Sequence, residues 1–387
     1  MFKFLSGLRH SSKRIPLLLF ILCTALVTGV DLNAQEPDSK KSRLWNDTAR
    51  FLAGLKQEEG GLLIELDDRS EAKKHRAYFE KIWPEVERKN IRPQSDWARS
   101  ELADIRSGER FIFYPFSGPD FLNIGAFFPN GSEYVLFGLE PTGMPEDIRG
   151  LSQPRLSSAL ANVQKTLGTI LNYSFFRTLD MARDLHKDDL NGATPILIAF
   201  MARTGNRVLD IQNVAITQSG TLRETTVAGI KSDEIAGVRI VFQKPGSDQP
   251  TLLHYFSLDI SDEGLKTKGQ IEAYIRSKGS MATYLKAASY LMYRDTFSRI
   301  RNLILTKSDF IMQDDSGMPL KSFDESIWDL TFYGTYTTPI QLFQSRFQSD
   351  LRSVYTTRKN IRDLPFGIGY QWQKGSSNLM VARKRSK

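Results

Sequence analysis

Cysteine and histidine are nearly missing from this chain, which has one cysteine and four histidines in 387 residues. Cys23 lies inside the N-terminal apolar run, so a chain processed behind that run has neither a disulfide nor a thiol nucleophile. Cysteine catalysis and cysteine-ligated zinc or iron–sulfur centres are thereby excluded. His75, His186 and His254 are the only histidines beyond the run, too few for a multi-histidine metal site, and neither a metal nor a cofactor is expected. Also missing are a three-glycine dinucleotide fingerprint, a Gly-x-Ser-x-Gly nucleophile elbow, an EF-hand spacing, internal repeats and low-complexity blocks. A strong charge of one sign is missing too. The formal +8 falls to about +5 once the leader's four basic residues and one acidic residue are set aside, and basic residues are interspersed with acidic ones up to the terminal Arg383-Lys384-Arg385-Ser386-Lys387.

What is present starts with an export signal. Lys3, Arg9, Lys13 and Arg14 precede an apolar run from Ile15 to Val30, and Ala34 offers a small residue before a polar stretch. That order is the layout of a signal peptide cleaved after Ala34; an uncleaved anchor is the alternative, with the run near the lower length limit for spanning a bilayer. Leu22 before Cys23 is too bulky for a lipoprotein site. The expected location is the periplasm or beyond, with membrane contact only through the leader and the basic tail, and with no nucleic-acid partner. The expected organisation is a leader at 1–34, a linker and helical segment at 35–107, and an α/β domain at 108–387. With 41% hydrophobic and 25% charged residues the chain has the composition of folded material rather than disorder.

The stretch Arg110–Gly143 is the organising unit. Apolar runs at Phe111–Phe116 and Tyr134–Leu139 read as strands around a Ser117-Gly118-Pro119-Asp120 turn and a short apolar helix to Phe128. Ser117 or Gly118 is the expected helix cap, with Pro119 in the first helical position and Asp120 favouring the first turn. Donors at such a helix start can hold an anion, and Glu140 at the end of the second strand can accept from a hydroxyl group. Plain helix capping is the simpler account of the same residues.

Along the rest of the chain, helices are expected from Leu44, from Ser70 to Lys89 and from Ser95 to near Gly108. His75, in a Lys-Lys-His-Arg run, reads as part of a solvated face. Further helices are expected at 156–171 and 178–186, the latter ending at His186. Pro195–Ala202 is apolar without a period and is either helix or buried strand. Val208–Thr217 alternates as a strand, and Val238–Phe242 with Leu252–Leu258 form a hairpin across a loop dense in turn formers. A helix follows from Ser261 to Ser277, then one or two apolar helices over 281–305. Asp309–Met312 reads as a strand that ends on Asp314-Asp315, a ligand-site pair able to hold a divalent cation or to act as acid and base, and more simply a polar turn. Trp328–Tyr333 is a strand and 340–355 a helix, and Phe366–Trp372 pairs with Leu379–Arg383. Tyr333, Tyr336 and Trp372 are core aromatics or the lining of a sugar groove.

These patterns give an α/β fold with a mixed, partly antiparallel sheet flanked by helices, a Rossmann-like three-layer arrangement, with α+β as the alternative. The expected function is an exported envelope protein that binds a small anionic or sugar ligand, or is structural, with no identifiable reaction. Its ligand-site candidates are Ser117, Gly118, Asp120, Glu140, Asp314 and Asp315. A hydrolase is the second reading, with Ser117 and His254 joined by Asp120 or Asp259. A third comes from the order of elements: strand, glycine turn, helix, strand ending in an acidic residue and a C-terminal antiparallel hairpin resemble the layout of nucleotide-fold methyltransferases, which implies a shared scaffold without the activity.

Overall fold

Phe111–Tyr114 forms the central strand, β1, and every one of its side chains is buried. Phe111 and Phe113 enter one apolar core, Ile112 and Tyr114 the other. This two-sided burial is why the run is continuously apolar instead of alternating. The computed structural model of the protein describes residues 39–106, 110–145, 147–173 and 192–385. The chain divides into two units, Met1–Ala34 and Gln35–Lys387, and all described residues belong to the second. The expected leader and the helix at 178–186, with His186, lie outside the described residues.

The fold is α/β. Ten strands form one mixed sheet: β1, β2 (Glu133–Gly138), β3 (Arg207–Ile216), β4 (Leu222–Glu224), β5 (Ile235–Gln243), β6 (Pro250–Ser257), β7 (Met281–Leu285), β8 (Ser308–Gln313), β9 (Trp328–Gly334) and β10 (Asn378–Lys384), in the spatial order β4-β3-β5-β6-β2-β1-β7-β8-β10-β9. The middle five strands, β6-β2-β1-β7-β8, are parallel. The outer ones join antiparallel, β5, β3 and β4 on one side and β10 with β9 on the other.

Helices cover both faces. Helices α1 (Lys40–Leu52), α2 (Ser70–Val86), α3 (Arg92–Glu101), the short α4 (Ala103–Arg106), α5 (Phe121–Phe127), α6 (Gln153–Tyr173) and α7 (Thr194–Arg203) come first in the chain. Except for α4, which contributes only Ile105, each sends several side chains into the core that receives Ile112 and Tyr114. The later helices α8 (Asp262–Thr267), α9 (Gln270–Arg276), α10 (Ser298–Lys307) and α11 (Ser349–Thr357) close the other face.

Several expectations are corrected. Helix α1 begins at Lys40, where the Ser39 hydroxyl accepts from Ser42 N–H at 3.2 Å, so residues taken as linker are helical. The period-free run near Pro195 is helix, α7, buried along nearly its whole length. Met281–Leu285, expected to be helical, is a central strand: it is fully buried and only five residues long, so it shows no period and its Ala, Met and Leu residues favour helix locally. Residues 340–355 divide into a 3-10 turn, Gln341–Arg346, and α11. Phe366–Trp372 does not pair with the last strand; β10 inserts between β8 and β9 instead. His75 is buried, not solvated. Its Nε2 lies 2.9 Å from Leu52 O and its Nδ1 3.0 Å from Gln164 Nε2, and burial pulls its pKa down to about 4.

Candidate functional site

From β1 the sheet grows in two directions. β2 and β6 lie on one side and β7 and β8 on the other, so the loops after β1 and β7 diverge. A crevice must open there, outside the carboxyl ends of the strands, where ligands bind in open α/β sheets. The structure has a cavity of about 680 Å³ at that point. Tyr114, Ser117, Gly118 and Asp120 line it from the β1 side, Gly138 and Leu139 from β2, Leu258 to Ile260 from β6, and Lys286 to Ser289 from β7. Ile340, Leu342, Phe343 and Tyr370 close it from the C-terminal region, and Phe116, Leu291 and Phe297 complete an apolar wall. Leu139 is 58% and Leu342 78% exposed, an unusual display of large aliphatic side chains at a cavity mouth.

The floor holds a buried ion pair. Lys286 Nζ stands 2.6 Å from Asp120 Oδ2, and the two side chains are 2% and 1% exposed. Tyr114 donates to the same carboxylate at 3.0 Å, and Asn123 donates to it from its side chain at 2.9 and 3.0 Å and from its backbone N–H at 3.1 Å. Burial, reinforced by Asp120, holds the Tyr114 hydroxyl well above its ordinary pKa, so it serves as a neutral donor.

Asp120 is therefore the cap of α5, in place of Ser117 or Gly118, and Pro119 lies outside the helix. The carboxylate already occupies the helix start, so the anion site expected there is filled by the protein itself. The turn before it acts as a clasp. Ser117 N–H, Gly118 N–H and the Ser117 hydroxyl all donate to Phe137 O, at 3.0, 3.1 and 3.1 Å. Gly118 has φ +51°, and a Cβ at Gly138 would come within 3.0 Å of the Gly118 Cα. Glycine at both positions is what allows the β1 loop and the end of β2 to meet.

The remaining predicted residues separate. Asp259 lines the crevice at its rim. Glu140 is fully buried and turned inward, where Tyr255 donates to its Oε2 at 3.0 Å. Asp314 and Asp315, 3% and 7% exposed, stand behind the β7 loop. His254 is not brought to Ser117. In register with Val135 it sits two positions before Phe137, and its Nδ1 lies 2.9 Å from Glu133 Oε1. Lys278 holds the same carboxylate at 2.8 Å. Burial opposes ionisation of Glu133, but His254 and Lys278 prevail and its pKa falls to about 2; burial lowers that of His254. This network is structural. Tyr333 and Tyr336 are core residues, so they form no groove with the exposed Trp372.

Sequence reasoning missed Tyr114, Leu139, Lys286, Leu342 and Tyr370. The one available signal was Lys286, a lone cation closing the apolar run Met281–Leu285, and the helical reading of that run concealed it. Among the described residues no group of three or more histidine, cysteine, aspartate or glutamate side chains is placed to hold a metal ion, and no helix is long and apolar enough to cross a membrane. Comparison with models of known families, with curated proteins and with solved structures yields no match.

Proposed function

We propose that this is an exported binding protein that holds a small, neutral, amphipathic molecule in the crevice at the switch point. The observation that carries the reading is the crevice's composition: a wall of aliphatic and aromatic side chains above one internally neutralised ion pair. A ligand pocket of a few hundred cubic ångströms with an apolar lining and few polar anchors fits a small organic molecule. Lys286 and Asp120 cancel each other's charge, and the Asp259 carboxylate at the rim repels anions. The ligand class is therefore neutral, with a hydroxyl or carbonyl head toward the floor and an aliphatic or aromatic body against Leu139, Leu342 and Phe343. The leader-like N-terminal sequence supports export.

Binding is favoured over turnover. The Ser117 hydroxyl donates to a backbone carbonyl and the Ser289 hydroxyl bonds that of Tyr370, so neither serine is paired with a basic side chain. The methyltransferase-like reading retains support as scaffold alone. The parallel core and the antiparallel β9–β10 pair fit it, while Glu140, the acidic strand end expected to meet a ligand hydroxyl, is committed to Tyr255.

The test is a fluorescence titration with N-phenyl-1-naphthylamine, a neutral apolar dye. Saturable binding that weakens at least tenfold in the double variant Leu139→Asp/Leu342→Asp is expected. No binding, or binding that this variant leaves unchanged, overturns the reading.

A further inference from the structure

Trp372, which takes no part in the crevice, is 49% exposed, although tryptophan is highly buried on average. The other four tryptophans are buried or half-buried. Trp372 does not sit on a loose loop. A Cβ at Gly367 would overlap Trp372 O, so the chain from Phe366 to Trp372 folds back closely on itself. Ile368 N–H donates to Ser377 Oγ at 2.9 Å, the Ser376 hydroxyl donates to Gln373 O at 2.9 Å, and the Gln371 side-chain amide donates to Thr338 O at 2.6 Å. At the base of the loop Phe366 is buried against Trp97, with ring centroids 5.7 Å apart. The exposed indole is thus displayed from a backbone fixed on both sides of it, which leaves little ordering entropy to be lost on binding.

Trp372 lines a groove of about 940 Å³ that shares no residue with the crevice. Tyr78 of α2 lines the groove as well, and its hydroxyl donates to Gln164 O of α6 at 3.1 Å. Charge in the groove is one-sided. Lys81, Arg88, Lys89 and Lys374 stand against one carboxylate, Glu85, whereas basic and acidic residues are interspersed along most of the chain. Glu85 is shared by Arg88 at 2.8 Å and Lys89 at 2.5 Å. Among the described residues Lys81 and Lys374 make neither an ion pair nor a hydrogen bond. Arg88, Lys89 and Asn90 belong to a π-helical turn, Glu87–Ile91, that joins α2 to α3. Turns of that kind are rare and recur at functional sites.

The groove therefore offers three things together: an excess of cations, a rigid aromatic face, and the amides of Asn90 and Gln373. Cations attract an anion along the whole groove. The indole takes a flat apolar surface, and the amides both donate to and accept from hydroxyl groups. A sugar chain that carries carboxylates meets all three, through its charges, the C–H face of a ring and its hydroxyls. An acidic peptide backbone lacks the flat face, and a planar bilayer does not follow a concave surface.

We propose that the groove between α2 and the C-terminal loop binds an acidic sugar chain, with one ring stacked on Trp372 and its carboxylates held by Lys81 and Lys374. This site is independent of the crevice. The experiment is isothermal titration of the full chain with a galacturonic acid hexamer at low ionic strength, with tryptophan fluorescence read in parallel. Saturable binding that weakens with added salt is expected, together with a change in the emission of the exposed tryptophan. Trp372→Ala is expected to bind about tenfold more weakly, Trp372→Tyr to recover most of the loss, and Lys81→Gln/Lys374→Gln to bind about fivefold more weakly. Dye binding in the crevice is unchanged in all three variants, so either site can fail without the other. Absence of hexamer binding overturns the proposal, as does equally tight binding of neutral maltohexaose. Binding of polyglutamate as tight as that of the hexamer, and insensitive to Trp372→Ala, reduces the groove to a general attraction for polyanions and also overturns it. Anionic phosphatidylglycerol vesicles that displace the hexamer would reassign the surface to a membrane. If Trp372→Ala does not fold, the lysine variant and the wild-type fluorescence change decide the outcome.

Discussion

Two carboxylates at the same end of the sheet, Asp120 after β1 and Asp314 after β8, are buried to nearly the same degree and are solvated by the protein in opposite ways. Asp120 has a lysine at 2.6 Å together with a tyrosine and an asparagine, so its charge is cancelled where it sits. Among the described residues, Asp314 is bonded by dipoles and has a second carboxylate beside it. A neutralised buried charge fixes architecture and costs heavily when broken, because its partner is left without a counter-charge. A buried charge held by dipoles alone responds to protons. Both kinds border the crevice: a neutralised pair in the floor at Asp120–Lys286 and a dipole-held carboxylate behind the β7 loop.

The most severe way to break this contrast is Asp120→Ala, which strands Lys286 and removes the α5 cap. A loss of about 3–5 kcal/mol in unfolding free energy is expected from the ion pair, with about 1 kcal/mol more from the cap, read from urea denaturation midpoints. Adding Lys286→Met to that variant is expected to recover part of the loss; a double variant no better than the single one would falsify the compensated-pair account.

Next in size are two titrations of opposite sign. His75 has a folded pKa of about 4 against an ordinary 6.5, so its contribution to stability is complete above 6.5 and is lost as pH falls toward 4. That is about 3 kcal/mol at 1.36 kcal/mol per unit, and His75→Gln should flatten the acid limb of the stability profile. Asp314 is shifted upward, so its contribution is complete below the ordinary carboxylate pKa and is lost as pH rises through about 7. Each titration involves one proton, so its limiting slope matches that of His75 with the opposite sign, and Asp314→Asn should remove it. Matching slopes in wild type and Asp314→Asn would count against the dipole-held carboxylate.

Gly138→Ala tests the clasp under the floor. Its Cβ would meet Glu140 Oε2 at 2.2 Å and the Tyr255 hydroxyl at 2.4 Å, which predicts a loss of about 1–3 kcal/mol from overpacking. Thermal melts would show it, and an unchanged melting temperature would mean that the β1 and β2 ends need not meet as closely as they do. The smallest stability effect belongs to Leu342→Ala at the exposed mouth. Stability should stay within about 0.5 kcal/mol of wild type while dye affinity drops several-fold, separating what holds the fold from what holds the ligand.

Locally encoded features could be read from the chain. The turn formers between β5 and β6, the glycine turn after β1 and the cap at Ser261, whose hydroxyl accepts from Gly264 N–H at 3.2 Å, are set by residues a few positions apart. The α/β class followed from them. Ser117, Gly118, Asp120 and Asp259 were found because strand ends are marked by such polar and glycine-rich stretches. Tertiary structure alone decided what those residues do. Asp120 meets a lysine 166 positions away, β7 becomes a strand only once neighbours bury both its faces, and His75 is neutral because the end of α1 and Gln164 enclose it. The environment of Asp314 likewise belongs to the assembled fold, since burial and the arrangement of distant dipoles, which no window of sequence contains, set the energy of a charge.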